Sequence, residues 1–527
     1  TGAVMIKKLD GFFLKDKYVL TLLLLAGFAQ DQVLVYCNVP HMHQIPLLFA
    51  IVVMAYRALR DPEFLSFRGA GIWGLFVIAF IISFAANGFP SVRGNIIDLI
   101  IITMTGFLVF GGGSSDGADG NTEDLWFISG AAFLFLGLNS VISLITYVFG
   151  VSIQFFEPQG GYPSYIGVSY GFQDRFTGLQ GVPNALGWTS VCAIVWGILW
   201  LSTGKPKKTL TKVISAAAIA ASAVSIGLSF SRGSLLAVTA GFICYFGYRI
   251  ISRRDGKGII RIIVEILAVV IIIGGLAYGS TNVSARINGR TTARWYASHE
   301  QKMDDQRSGD QKEETAQKPS QAVEQANSGN RVVKQFQSGD VSNGRGIINE
   351  IGFKLLRYNH QLAYGVSSGD GRPAWKAFVT DHENLISDKK YEFTRKDDKI
   401  SGNMHNLFTQ VIYNSGLIGF IPLILLVLMF IHSAVSDLKN PERDERSRMR
   451  SALFMAICAV GTIAMFENIL IYSTKVYNIT FMYLLGYFIG MNEREEGSSL
   501  IDRTDRRLGG WLRFIGKTIC LNKVKDK

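Results

Sequence analysis

The sequence predicts an all-α, polytopic membrane protein of about twelve spanning helices with a large, partly helical outward-facing loop. Three observations predict it. Of 527 residues, 49% are hydrophobic and only 18% are charged. The apolar residues gather in blocks roughly as long as a bilayer is thick, about 20 residues. Lysine and arginine fall mainly in alternate connections between those blocks, the bias that orients membrane helices with their basic loops in the cytoplasm.

In chain order the spans fall near 18–37, 44–58, 70–87, 95–111, 125–148, 184–202, 213–230, 234–250, 261–279, 416–434, 451–471 and 477–492. The first is the least continuous, because Gln30, Asp31 and Gln32 interrupt it. Basic residues mark Lys7 to Lys17, Arg57 to Arg68, Lys205 to Lys212, Arg249 to Arg261, and KNPERDERSRMR at 439–450. These connections are read as cytoplasmic, with both termini, so the remaining connections face outward. The first apolar block lacks a small-residue cleavage site, and no cleavable leader is expected. Cys37, Cys192, Cys244, Cys458 and Cys520 have neither paired nor ligand spacing and read as packing residues.

Four regions follow. Residues 1–279 carry nine spans and an outward loop at 149–183, and residues 280–403 form the large outward loop. Residues 404–492 carry the last three spans, and 493–527 a basic tail. In the large loop, QKMDDQRSGDQKEETAQKPSQAVEQANSGN is a polar, low-hydrophobicity insert, whereas GIINEIGFKLLRY has helical apolar spacing. In the tail, Trp511, Leu512, Phe514 and Ile515 recur at helical spacing among basic residues, as in a helix lying on an anionic inner leaflet. Much of the net charge of +12 is therefore topological. No base-stacking or groove-reading motif accompanies it, so nucleic acid is not an expected partner. The glycine-rich GGGSSDGADGN at 111–121 lacks the Gly-Lys-Ser/Thr ending of a phosphate loop and reads as a cytoplasmic linker.

Four outward places combine a cation or an imidazole with glycine: DRFTGLQGVPN at 174–184, SFSRGS at 229–234, SNGRG at 342–346, and MHN at 404–406. Ser231-Arg232-Gly233 offers a guanidinium and free backbone N–H groups at the start of a span, a ready anion site. Arg345 opens a helical pattern in the same way, and a forked, permanent cation suits phosphate oxygens. His405 carries the side chain best suited to accept a proton near neutral pH.

His405-Asn406, nine residues, then Gly416-x-x-Gly419 resembles the signature of the bacterial O-antigen ligase and Wzy-type polysaccharide polymerase superfamily. Arg175 with Pro183-Asn184, Ser231-Arg232-Gly233, and Gly344-Arg345 followed by YGVSSGDG resemble its other segments, in order, from about residue 170 to 425. The resemblance implies a metal-independent, cofactor-free glycosyltransferase of the GT-C kind at the outer face of the cytoplasmic membrane. Its donor would be a glycan on undecaprenyl diphosphate. Its acceptor would be a lipid-linked repeat for a polymerase or lipid A core for a ligase, and a chain-length regulator is a further implied partner. His405, Arg232 and Arg345 would be catalytic, with His405 as base. Arg175, Asn184, Ser231, Asn406, Gly416 and Gly419 would bind substrate, the two glycines as a small-residue face for a neighbouring helix or lipid tail. The enlarged polar outer region favours the polymerase.

Other readings compete. His360 or His382 could replace His405 as base, and Asp381-His382-Glu383 is too compact and loop-borne for a metal site. His41 and His43 read as interfacial. A flippase or transporter would also have about twelve spans and could use Asp98, Glu265 and Glu467, although the halves show no repeat. A non-catalytic scaffold would need none of the site residues.

Overall fold

A computed structural model describes residues 2–39, 42–155, 164–169, 175–203, 208–252, 345–367, 403–439, 445–467, 470–491 and 499–520, with a few isolated positions between them. The span at 261–279, the insert at 281–341, His41 and His382 lie essentially outside the described residues.

The chain is mostly helical, as its apolar blocks require: in a bilayer only a helix satisfies every backbone polar group within one segment. Before the large loop come α1 Gly2–Phe13, α2 Asp16–Ala29, α3 Val33–Asn38, α4 Ile45–Arg60, α5 Ala70–Ala86, α6 Val92–Asp119 and α7 Thr122–Val148. They are followed by α8 Pro183–Ser202, α9 Thr209–Ser229 and α10 Arg232–Ser252. Then come α11 Arg345–Tyr358, α12 Leu407–Lys439, α13 Glu445–Ala464, α14 Val476–Met491 and α15 Leu500–Ile519. Among the described residues six helices (α6 to α10 and α12) are long and apolar enough to cross a membrane, and α5 and α14 are shorter apolar helices. The fold is that of a helical membrane protein.

Four expectations are corrected. The protein is not all-α: within 149–183 an antiparallel sheet pairs β1 Ser152–Phe155 with β2 Ser164–Val168, and β2 with β3 Phe176–Gly181. Thr177 is buried and bonds the carbonyls of Tyr165 and Gly167, while Leu179 N–H bonds Ser143 Oγ, so the sheet is fastened to the end of α7. The glycines and aromatics there had masked the strand alternation. Second, the span at 18–37 breaks into α2 and α3 where the interrupting polar residues fall. Third, helix α12 begins at Leu407, nine residues before the expected span, and is broken at Gly416 (φ 63°, ψ −164°).

The fourth correction is the supposed linker at 111–121. Residues 111–119 are the buried end of α6, which continues through a π-helical stretch at Met104–Phe110. A Cβ at Gly113 or Gly117 would overlap the carbonyls of Tyr483 or Tyr487, and one at Gly486 or Gly490 those of Phe110 or Ser114. Glycine is required because the backbones of α6 and α14 touch, and such small-residue seams replace the hydrophobic drive that lipid cannot supply. Packing overrides the poor helix propensity of the run.

Ion pairs gather at one end of the bundle: Arg57 with Asp16 (2.6 Å), Lys17 with Asp124 (3.0 Å) and Arg68 with Asp502 (2.9 Å). There α15 lies across the start of α5, its Asp505 carboxylate accepting from Gly69 N–H (2.9 Å) and Ile72 N–H (3.1 Å). Leu512 is buried, while Trp511 and Phe514 are exposed. Gly117→Val should lower stability by about 3 kcal/mol through overpacking, read as a fall in the midpoint of heat-induced unfolding in detergent. An unchanged midpoint would contradict the backbone contact.

Candidate active site

The opposite end of the bundle collects most of the sequence-derived site residues. Helix α9 ends at Ser229, and Phe230 takes a left-handed turn (φ 51°) before Ser231 and Arg232 open α10. Ser231 Oγ bonds Ser234 Oγ (2.7 Å), fixing the first turn. Arg175, just before β3, donates from Nε to the Ser229 carbonyl (2.8 Å) and from Nη2 to Asn184 Oδ1 (3.4 Å). Helix α8 starts at Pro183, and a Cβ on its Gly187 would lie 2.6 Å from Ser231 Cβ. Arg175, Asn184, Ser231 and Arg232 are thereby brought together, with Arg175 fastening the α9–α10 turn to the start of α8.

His405 is held from three sides. Its backbone is left-handed (φ 48°), and its N–H bonds Asn403 Oδ1 (2.9 Å). Asn406 Oδ1 accepts from Phe408 N–H (2.9 Å) and Thr409 N–H (3.2 Å), which caps α12 as an Asn at a helix start does. Asn406 Nδ2 donates to the Met465 carbonyl (2.9 Å) in the connection after α13. In that connection, Glu467 Oε2 lies 2.9 Å from His405 Nδ1. The Glu467 side chain is 9% exposed and the His405 side chain 32%. An ionised carboxylate only accepts hydrogen bonds, so a bond from Nδ1–H to Glu467 would leave the Nε2 lone pair as the ring's acceptor.

The two halves meet beside Glu467. Gly233 packs on Phe466, a Cβ there lying 3.9 Å from that of Phe466, the residue before Glu467. Arg232 and His405, far apart in sequence, thus converge on one short connection.

Arg345 opens α11, and its side chain lies outside the described residues. The helix itself is docked on α12: Asn349 Oδ1 accepts from Thr409 Oγ1 (3.0 Å), and Ile348, Ile351, Leu355 and Leu356 pack with Met404 and Tyr413. Arg345 therefore sits one turn before a residue bonded to the first turn after His405.

The two glycines of the signature face protein backbone and their own helix. A Cβ at Gly416 would overlap Ala363 and Tyr364, because the turn at 361–367 lies along the break. Val366 N–H bonds the Tyr413 carbonyl (2.8 Å), Ser367 N–H that of Asn414 (2.9 Å), and Leu417 N–H that of Leu362 (3.0 Å). The nearest groups to Gly419 are Ser415 and Val411 of the same helix. His360 is exposed beyond the end of α11, and His432 faces Asp502 at the other end of the bundle. Among the described residues no group of three His, Cys, Asp or Glu side chains could hold a metal ion.

From the sequence Glu467 stood only as one of three intramembrane acids that a transporter could use, and its contact with His405 was not foreseen. The signal was present: an acid at the end of an apolar span requires a partner.

Residues 216–424 match the family model Wzy_C, described as O-antigen ligase. That segment is similar to the O-antigen ligase family. No curated protein matches the chain. The O-antigen ligase match begins inside α9 and ends beyond Gly419, so it contains Ser231, Arg232, Arg345, His405, Asn406, Gly416 and Gly419. Arg175, Asn184 and Glu467 lie outside it and join the site through the bonds described above. The match supports glycosyl transfer at a membrane. Glu467→Gln, which keeps the shape and loses the charge, should lower kcat by roughly 100-fold while leaving KM nearly unchanged, in a glycan-transfer assay on the purified protein. An unchanged kcat would remove Glu467 from the site.

Proposed function

We propose that this protein is a polysaccharide polymerase of the outer face of a bacterial cytoplasmic membrane. It takes a glycan from undecaprenyl diphosphate and joins it to a sugar hydroxyl of a second lipid-linked repeat. The observation that carries the reading is the His405–Glu467 pair held against the Arg232 turn.

In the reaction, the acceptor hydroxyl gives its proton to His405 Nε2 as its oxygen bonds the anomeric carbon. The bond from that carbon to the diphosphate oxygen breaks, and its electron pair leaves with undecaprenyl diphosphate. A single displacement of this kind inverts the anomeric centre and leaves nothing covalently attached to the enzyme. Negative charge grows on the leaving diphosphate, and preorganised cations are the most effective way to stabilise it. Arg232 and Arg345 have this role, and Arg175 and Asn184 hold Arg232 in register. Glu467 keeps the imidazole in the useful tautomer and offsets the imidazolium as it forms.

We read the chain as a GT-C-like arrangement of about twelve spans with both termini in the cytoplasm, the side to which its basic connections assign them. The basic end of the bundle, with Arg57, Arg68 and α15, then lies inside, and the site lies outside, where the lipid-linked donor is presented. The description of the matched family favours a second reading, an O-antigen ligase that uses the same donor and residues with lipid A core as acceptor.

A glycan profile of cells lacking the protein separates the readings. Single repeats at the surface are expected for a polymerase, and long chains stranded on the lipid carrier would indicate a ligase. Unaltered surface glycan would reject both. His405→Ala should reduce kcat by about 100-fold to 10,000-fold. Arg232→Ala should cost about 100-fold to 1,000-fold, and Arg232→Lys only part of that, because the charge returns without the fork. Equal activity of Arg232→Ala and wild type would exclude the arginine from the leaving-group site.

A further inference from the structure

The connection that carries Glu467 ends in a second polar feature that the mechanism does not use. Lys475, the last residue before α14, places Nζ 2.7 Å from Oδ1 of Asp31, in the break between α2 and α3. The break is fixed independently: Thr474 Oγ1 donates to Gln30 Oε1 (3.0 Å), and a Cβ on Gly27 would lie 2.6 Å from the Thr474 carbonyl. Asp31 is buried, its side chain 2% exposed, while the Lys475 side chain is 41% exposed. An ammonium has three donors. Asp31 takes one of them, which aims the group, and the Tyr477 side chain flanks it on a second side.

Two aromatic rings connect this lysine to the site. Lys475 Nζ lies 6.0 Å from the centre of the Tyr477 ring, and that ring meets Trp188 edge-on at 5.6 Å. Trp188 follows Gly187, which packs on Ser231 beside Arg232. Lys475 thus stands at the same end of the bundle as His405 and Arg232, across a Tyr–Trp pair.

We propose that Lys475, aimed by Asp31, is a further oxyanion-binding point of the site and holds one phosphate of a lipid-linked diphosphate while the arginines hold the other. The proposal rests on the function proposed above. A compact ammonium contacts a phosphate as a point charge, which complements the fork of an arginine on its neighbour. The interrupting polar triplet at 30–32 acquires a reason in this reading: a helix break is where a buried carboxylate can reach a cation on another connection.

The test is binding by the purified full chain in nanodiscs, with undecaprenyl diphosphate, undecaprenyl monophosphate and a glucuronate oligosaccharide as separate probes. Lys475→Met should raise Kd for the diphosphate on the order of 10-fold, raise it clearly less for the monophosphate, and leave the oligosaccharide unaffected. Lys475→Arg should restore diphosphate binding. Lys475→Gln serves if the methionine variant does not give a monodisperse protein. An unchanged diphosphate Kd overturns the proposal. So does equal weakening of both lipids by Lys475→Met and Asp31→Asn, which would make the pair a structural pin, or weakening of the oligosaccharide alone, which would make the ligand a sugar carboxylate. Wild-type protein that binds neither lipid counts against the proposed donor itself, an outcome distinct from failure of Lys475 alone.

Discussion

A carboxylate at the end of an apolar helix is expensive to bury unless something charged or hydrogen-bonded meets it. Glu467 meets His405, and the arrangement of the site follows from that bond. It fixes the imidazole, and it ties the start of α12 to the connection after α13. It also holds the described segment before α12, Asn403 to Asn406, against the bundle, because Met404 and Asn406 sit on either side of the histidine. The left-handed backbone at His405 is tolerable for the same reason: the neighbouring bonds of Asn403 and Asn406 over-determine it.

Rigidity behind the site comes from contacts that only glycine allows. Helices α6 and α14 touch backbone to backbone, so α14 is a fixed post from which the connection at 465–475 is hung. Gly187 seats the Ser231 and Ser234 side chains of the α9–α10 turn against α8, and Gly416 lets the turn at 361–367 lie along the break in α12. A transferase that must present a cation and a base to one bond gains from such supports, since small misplacements cost much of the rate.

The sequence disclosed the helices well where long apolar runs allow no alternative, as at Thr122–Val148 or Pro183–Ser202. It failed where packing outweighs local preference. The GGGSSDGAD run reads as a linker by propensity and folds as helix because another glycine-bearing helix covers it. The strands at 152–181 hid in a glycine-rich stretch whose alternation is short. The site motifs were legible because each pairs a cation or an imidazole with backbone that can turn. Arg175, Ser231, Arg232, His405 and Asn406 are found at one end of the bundle. Two roles were not legible. Asn406 anchors the Met465 carbonyl and Gly416 admits a backbone turn, because partners separated by fifty or so residues leave no periodic trace. Glu467 was visible only as a charge in the wrong solvent.

The most direct measurement is an experimental density map of the protein with an undecaprenyl diphosphate-linked repeat bound. The diphosphate should lie against the Arg232 guanidinium and the reacting sugar in front of His405, leaving space for an acceptor oxygen about 3 Å from Nε2. A diphosphate bound at the other end of the bundle, among Arg57, Arg68 and α15, would contradict it.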